Sequence, residues 1–155
     1  MHINVDDQEL NAEFTALLKN VSPANRRKIA KEIAMKIRAN RSDSIKANIG
    51  PDGKKFEPRK PQNRKGAKRG RMFRKLGARR SLVAKYSPAQ ALVYFRGKNM
   101  SIAKIHHEGG YGVVNKQGFK VRYPERPLLG IGANERDIVR DAVVDALANG
   151  THMEK

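Results

Sequence analysis

A stretch rich in Lys and Arg near the middle of the chain restricts most strongly how the chain can fold. Between positions 59 and 80, 11 of the 22 residues are Lys or Arg and none is Asp or Glu. Such a stretch cannot bury enough apolar surface to fold by itself, and its like charges repel one another. We therefore predict that residues 51–80 form a long basic loop or arm, which needs water, a nucleic-acid backbone or an acidic protein surface around it.

The N-terminal part of the chain has helical patterns. Asp6 or Asp7 can cap a helix over residues 1–20. Ser22 followed by Pro23 is a start signal for a second helix, which we predict to be long and to reach residue 47 or 48.

The predicted long helix has two different faces. Ile29, Ile33 and Ile37 recur every four residues, which predicts a buried apolar stripe. Lys and Arg residues occupy much of the remaining surface, and we assign Arg41 to this solvated cationic face.

The C-terminal part has strand and helix patterns in alternation, and a Gly50-Pro51-Asp52-Gly53 turn precedes the basic arm. In the arm, Met72, Phe73 and Leu76 could dock on the chain itself or insert into a neighbouring subunit. The predicted elements are an antiparallel hairpin (81–86 and 91–96), a short helix (101–108) ended by Gly109, a second strand pair (111–114 and 119–123) and a last helix from residue 133 or 134 to Gly150.

Composition favours a single domain with a thin core. With 155 residues, we predict one domain over residues 1–150, which includes the basic loop, and a flexible tail over residues 151–155. We predict the α+β class: two N-terminal helices, one of them long, and a C-terminal helix packed on a small antiparallel β-sheet. The chain is 39% apolar and 31% charged, so part of it is expected to be covered only in an assembly.

The charge and the residue inventory restrict the partners. A net charge of +18 favours polyanionic or acidic partners. The chain has no Cys, and no apolar run is long enough for a membrane span, so we expect neither a disulfide framework nor a membrane partner.

The sequence offers little for catalysis. His106 and His107 are adjacent, and adjacent side chains on a helix diverge by about 100°, so both cannot easily hold one metal ion. We expect one of the two imidazoles to pack or donate a hydrogen bond and the other to be solvated. No phosphate-binding loop or nucleophile elbow is present, and the few carboxylates lie at predicted helix ends and turns. We predict that the chain is not an enzyme and needs no cofactor or metal.

Nucleic-acid binding has support from charge. The candidate residues for contacts with a polyanion or an acidic protein are the basic residues of the arm: Arg59, Lys60, Arg64, Lys65, Lys68, Arg69, Arg71, Arg74, Lys75, Arg79 and Arg80. Neither a zinc-finger spacing nor an aromatic RNA-binding motif accompanies them. A DNA- or RNA-binding protein without sequence preference therefore stays open beside a role in protein docking.

Four motifs occur in an order that resembles the phage virion morphogenesis family, the tail completion proteins of tailed bacteriophages. The motifs are Pro51-Asp52-Gly53 with Phe56 and Pro58-Arg59-Lys60; Met72-Phe73-Arg74-Lys75-Leu76 before Arg80-Ser81-Leu82; Ile102-Ala103-Lys104-Ile105-His106 up to Gly109; and Tyr123-Pro124-Glu125-Arg126-Pro127-Leu128-Leu129-Gly130. The likeness covers roughly residues 10–147. Phe56 stands where Trp is expected, and a Gly-rich extension around Tyr111 departs from the family pattern, which leaves the role of that segment open.

The resemblance implies a structural virion protein, located in the neck or tail region and in the host cytoplasm during assembly. Such proteins complete the tail so that the DNA-filled head can join it. The expected partners are copies of the chain in a ring, a hexamer or dodecamer, together with head-side connector and tail-side terminator proteins and the packaged DNA in the channel.

The resemblance supplies no catalytic residue, and its motifs supply candidates for interfaces. These candidates are Pro51, Asp52, Gly53, Phe56, Phe73, Leu76, His106, Gly109, Tyr123, Pro124, Arg126, Pro127, Leu128 and Leu129. Whether the segment from Tyr123 to Leu129 is a plug that leads into the last helix or a contact between subunits stays open at this point.

Overall fold

The structure, a computed structural model, describes residues 7–60 and 72–149. Its helices are α1 (Gln8–Leu17), α2 (Pro23–Lys46), α3 (Lys98–Glu108) and α4 (Ala133–Ala148), and its strands are β1 (Leu82–Tyr86), β2 (Ala91–Phe95), β3 (Tyr111–Val113) and β4 (Lys120–Arg122). The α+β class is confirmed, and the strands are divided between two antiparallel sheets of two strands each. In the described part of the chain, no helix combines the length and the apolar character that crossing a membrane requires.

Side chains fix the starts of the two N-terminal helices as the sequence predicts. The Asp7 carboxylate accepts a hydrogen bond from the backbone N–H of Leu10 at 3.1 Å, and the Ser22 hydroxyl accepts one from Asn25 N–H at 3.3 Å. These bonds satisfy backbone donors that have no partner within the helix. Asn48, with φ of 61°, lies beyond the end of α2, in the left-handed conformation that Asn tolerates better than most residues.

Helix α2, with 24 residues, is the longest described helix and contributes residues to two separate core clusters. Ile29, in its N-terminal half, shares a cluster with residues of α1 and α4, and Ile45, in its C-terminal half, shares a cluster with residues of the hairpin, α3 and the segments around them. The helical cluster contains Leu10, Phe14, Val21, Ile29 and Val143. The mixed cluster contains Ile45, Phe56, Met72, Leu76, Leu82, Phe95, Ala103, Leu128 and Leu129. A core split in two is consistent with the low apolar content of the chain.

The β1–β2 hairpin covers one side of α2. It is antiparallel, with Leu82 opposite Phe95 and Tyr86 opposite Ala91, as the strand pattern predicts. Leu82 and Phe95 are buried, so one end of the hairpin is anchored in the mixed cluster.

Helix α3 begins three residues earlier than predicted and leads into the β3–β4 hairpin. A residue outside the helix stabilises its first turn, because Asn99 Nδ2 donates a hydrogen bond to the Ser81 hydroxyl at 2.6 Å. Gly109, with φ of 70°, ends the helix as predicted, and a Cβ there would lie 2.9 Å from the backbone nitrogen of Glu125. Gly109 therefore lets the chain return close to α3 after β4.

Candidate functional site at the base of the basic loop

Both described ends of the basic loop are fixed in the mixed cluster. Phe56, in the first described part of the loop, is buried, and Met72 and Leu76, in its second described part, are buried in the same cluster. The rings of Phe56 and Phe73 meet edge to face, with their centroids 5.8 Å apart. We call residues 56–60 and 72–76 the loop base. Met72, Phe73 and Leu76 dock on the chain itself, and insertion into a neighbour is not needed to bury them.

An aromatic column continues from the loop base to the end of β4. The Phe73 ring lies 4.8 Å from the imidazole of His106, which lies 4.6 Å from the ring of Tyr123, and both pairs are edge to face. Phe73 adopts φ of 61°, an unusual conformation for a bulky residue. Such a conformation costs of order 1–3 kcal/mol and persists only where surrounding contacts impose it. The column with Phe56 provides those contacts.

Arg126 connects the column to the start of the loop. Its side chain is buried and donates from Nε to the carbonyl of Glu57 at 2.7 Å and from Nη2 to the carbonyl of Pro58 at 3.2 Å. Its guanidinium carbon lies 6.0 Å from the centre of the Phe73 ring. Burial lowers the pKa of Arg126, and the Glu57 carboxylate offsets part of this effect. A planar guanidinium with several donors suits this position, because it can bind two consecutive carbonyls.

His106 is held neutral inside the column. The loss of solvent, followed by the positive charges of Arg126 and Arg59, lowers the pKa of His106 to about 4. Its Nδ1 lies 3.4 Å from Nη1 of Arg126, a contact in which only the neutral ring can accept. Burial also lowers the pKa of His107, whose Nδ1 accepts a hydrogen bond from Leu128 N–H at 3.1 Å. The expectation that one imidazole is solvated is wrong, because both rings are half-buried.

A second buried polar cluster joins α2 to α4. The sequence pattern did not predict it. Arg41 is buried, so its assignment to the solvated face of α2 is wrong. Its Nη1 lies 3.5 Å from Oε1 of the buried Glu135, and its other donors reach the carbonyls of Leu128 and Ile49. Glu135 also accepts from Asn40 Nδ2 at 2.7 Å and from Gly132 N–H at 3.0 Å. The helix-start position of Glu135 was visible in the sequence, but its partner 94 positions earlier was not.

The turn before the loop packs against the start of α4. A Cβ at Gly132 would lie 1.8 Å from the carbonyl oxygen of Pro51, and a Cβ at Gly130 would lie 2.8 Å from the Pro51 ring. The Asp52 carboxylate accepts from Lys54 N–H at 3.0 Å, and Gly53 has φ of 76°, as the turn sequence requires. Gly130 and Gly132 allow this close approach, because a Cβ at either position would overlap Pro51.

The segment that leads into α4 is buried at its C-terminal end. Leu128 and Leu129 are buried in the mixed cluster, and Pro124 and Pro127 are partly buried. This placement favours the plug over a contact between subunits for the two leucines.

The cations of the arm divide into two groups. The six described ones are all exposed and lie in the loop base or within four residues of it: Arg59, Lys60, Arg74, Lys75, Arg79 and Arg80. The other five lie outside the described residues: Arg64, Lys65, Lys68, Arg69 and Arg71. Binding of a polyanion or an acidic protein by these side chains stays a prediction.

Comparison with known proteins tests the family resemblance that the four sequence motifs indicated. The profile of the phage virion morphogenesis family matches residues 5–148, nearly the whole chain. The chain belongs to the phage virion morphogenesis family. This membership confirms the resemblance seen in the four sequence motifs.

One curated relative of the family is tail completion protein S of Escherichia phage P2. It is 32% identical over 135 residues, which cover 84% of this chain and 90% of that protein. No solved structure shows significant similarity. Within residues 7–60 and 72–149, no group of three or more His, Asp or Glu side chains is placed to hold a metal ion.

Proposed function

We propose that this chain is a structural tail-completion protein of a phage virion, which completes the neck or tail so that the DNA-filled head can join it. The similarity to the P2 tail completion protein carries this proposal, because it extends over nearly all of both chains. In this proposal, copies of the chain form a ring and contact a head-side connector and a tail-side terminator. No bond is made or broken in this role, which is that of a structural protein and not of an enzyme.

The surface chemistry supports docking. The described cations of the arm are exposed at the loop base, while the motif residues beneath them are buried and hold that base in place. A rigid base that presents charge without burying it can bind acidic protein surfaces or packaged DNA.

The experiment uses an amber mutation in the gene of the phage that encodes this chain. We expect lysates of a non-suppressing host to contain filled heads and separate tails. Adding the purified chain to such a lysate should restore infectious particles. As a matched control, the chain with Ile45→Asp places a carboxylate at a fully buried position and should not restore them. A normal yield of joined particles in the amber lysate would contradict the proposed function.

A second candidate is an independent DNA- or RNA-binding protein without sequence preference. The observation that favours it is the exposure of the six cations at the loop base, combined with a net charge of +18. The salt dependence of DNA affinity, measured with and without these cations, separates the two candidates.

A further inference from the structure

The β3–β4 hairpin exposes four large apolar side chains although it is short. Tyr111, Val113 and Phe119 are 66%, 61% and 63% exposed, and Val114 is 48% exposed. A two-stranded hairpin is only marginally stable by itself. Its inner side is covered, since Gly112 is buried and a Cβ there would meet the ring of Tyr123 at 2.8 Å. Its outer side and its tip are not covered by the described part of the chain.

The outer side of this hairpin is cationic as well as apolar. Tyr111 lies opposite Arg122 and Val113 lies opposite Lys120, and residues opposite one another in an antiparallel pair share a face. Lys116 follows in the connection, and residues 111–122 include no Asp or Glu. A partner for this surface must offer both apolar contact and negative charge.

The opposite combination occurs on α4 of the same chain. Asp137, Asp141 and Asp145 recur every four residues and are exposed, and Val144 beside them is 61% exposed. Arg140 is the basic residue among them. We call these five residues the α4 outer face. Lys36 of α2 lies near Asp141 and Asp145, but its ammonium group is 2.6 Å from the carboxylate of Glu32. The α4 outer face therefore keeps a surplus of negative charge.

The charge is unevenly distributed over the helices. Residues 7–17 and 133–148 contain seven acidic and two basic residues, although the whole chain has a net charge of +18. These two segments pack together, since Leu10 and Phe14 share a cluster with Val143 and Asp7 forms an ion pair with Arg136. The helices α1 and α4 thus form an acidic region in a strongly basic protein.

We propose that the β3–β4 hairpin of one copy packs on the α4 outer face of a second copy. This inference names the two surfaces of the self-association put forward above, so it rests on that part of the proposed function. A second copy fits better than a nucleic acid, because Tyr111 and Val113 on the outer side have no apolar counterpart on a phosphate backbone. The two surfaces differ, so each copy keeps one of each free, and the contact can repeat until a ring closes.

The experiment reverses the charge of each surface separately. One variant carries Lys120→Glu and Arg122→Glu, and the other carries Asp141→Lys and Asp145→Lys. Sedimentation of the wild-type chain at low salt should show oligomers that dissociate at high salt. Each variant alone should sediment as a monomer. An equal mixture of the two variants should associate again, because every contact between unlike variants then joins opposite charges.

A control variant and a cross-link make the test specific. Lys28→Glu with Lys31→Glu changes the charge by the same amount on an exposed part of α2 and should leave the association unchanged. Since the chain has no Cys, a mixture of Val113→Cys and Val144→Cys chains should form disulfide-linked dimers, each containing one chain of each variant.

Three outcomes would overturn the proposal. They are a wild-type chain that stays monomeric at its highest soluble concentration without cross-linking, association of the charge-reversed variants that equals the wild type, and association that requires added DNA. If the variants associate normally while the amber mutation still separates heads from tails, this inference fails and the proposed function stands. If the variants behave as expected but the amber lysate contains joined particles, the self-association stands without the proposed function.

Discussion

The neutral imidazole of His106 makes the stability of the fold depend on pH. The pKa of this ring is about 4 in the folded chain, below the ordinary value of 6.5. As the pH falls from about 6.5 to about 4, the unfolded chain binds a proton that the folded chain does not, so the free energy of unfolding decreases. The full shift corresponds to roughly 3 kcal/mol, and we expect about 1–2 kcal/mol because the ring is only half-buried.

Replacing His106 by Phe measures this contribution, because the variant retains an aromatic ring but cannot titrate. Urea unfolding of the wild type and the variant at pH 7 and pH 5 should show a smaller loss of stability in the variant, by about 1 kcal/mol. A residual loss should remain, since burial lowers the pKa of His107 in the same direction. An equal loss in both proteins would contradict the role assigned to His106.

Single residues also show what the sequence could and could not predict. The caps Asp7 and Ser22 and the stop at Gly109 were predictable, because they depend on neighbours within a few positions. The burial of Arg41 was not, because its partners lie far away along the chain. The left-handed backbone of Phe73 was not predictable either, since no local signal favours that conformation in a bulky residue.

At the level of elements, the contact between α2 and α4 depends on a buried ion pair. Arg41→Met leaves the Glu135 carboxylate without its cation, and such an uncompensated charge costs about 3–5 kcal/mol. The double variant Arg41→Met with Glu135→Leu should recover much of this loss, because two apolar side chains need no partner. Urea unfolding of the two variants gives the comparison.

A matched control for this pair lies on the surface of α2. Lys36→Met removes the cation of the exposed pair with Glu32 and should leave the free energy of unfolding unchanged within error. If Arg41→Met were as well tolerated as Lys36→Met, the buried pair would not hold the two helices together.

Element types were easier to predict than their arrangement. The helices and both strand pairs follow from periodicity and turn residues, which are local. The division of the strands into two sheets depends on which faces of α2 and α3 they meet, and this is set by contacts between distant segments. The early start of α3 has the same origin, since Ser81 lies 18 positions before its partner Asn99.

At the level of the whole molecule, six of the eleven cations of the arm can be replaced without removing its anchors. Deleting residues 59–80 would also delete Met72 and Leu76, which are part of the core. Replacing the exposed cations by Gln avoids this loss, and the stability should stay within error of the wild type. The replaced residues are Arg59, Lys60, Arg74, Lys75, Arg79 and Arg80.

This neutralised variant distinguishes structural docking from independent nucleic-acid binding. We expect it to lose head–tail joining in the amber lysate, while both it and the wild type bind duplex DNA only at low salt. The measurement is the dependence of DNA affinity on salt, whose logarithmic slope changes by about 0.9 for each phosphate that the variant no longer neutralises. Micromolar or tighter binding by the wild type at physiological salt, abolished in the variant, would favour the second candidate function.

At the level of the whole molecule, the family was recognisable from four motifs in order, and the structure explains why. Many of those motif residues are buried in the loop base and the segment into α4, and burial restricts which side chains these positions accept; they include Phe56, Met72, Leu76, Arg126, Leu128 and Leu129. The surfaces that bind partners are not restricted in this way by the fold, so the motifs alone could not identify them. The prediction of a single domain over residues 1–150 stays a prediction.

The anchoring of both loop ends in one cluster has a consequence for how such proteins diversify. Because Phe56 and Phe73 fix the two ends against each other, we expect these ends to keep their positions when the segment between residues 60 and 72 is exchanged. Doubling the length of a flexible closed segment costs only about 0.6 kcal/mol. The position between residues 60 and 72 is therefore a slot into which a segment from a related phage can be grafted, so that a new assembly specificity can arise by exchange of a short cassette.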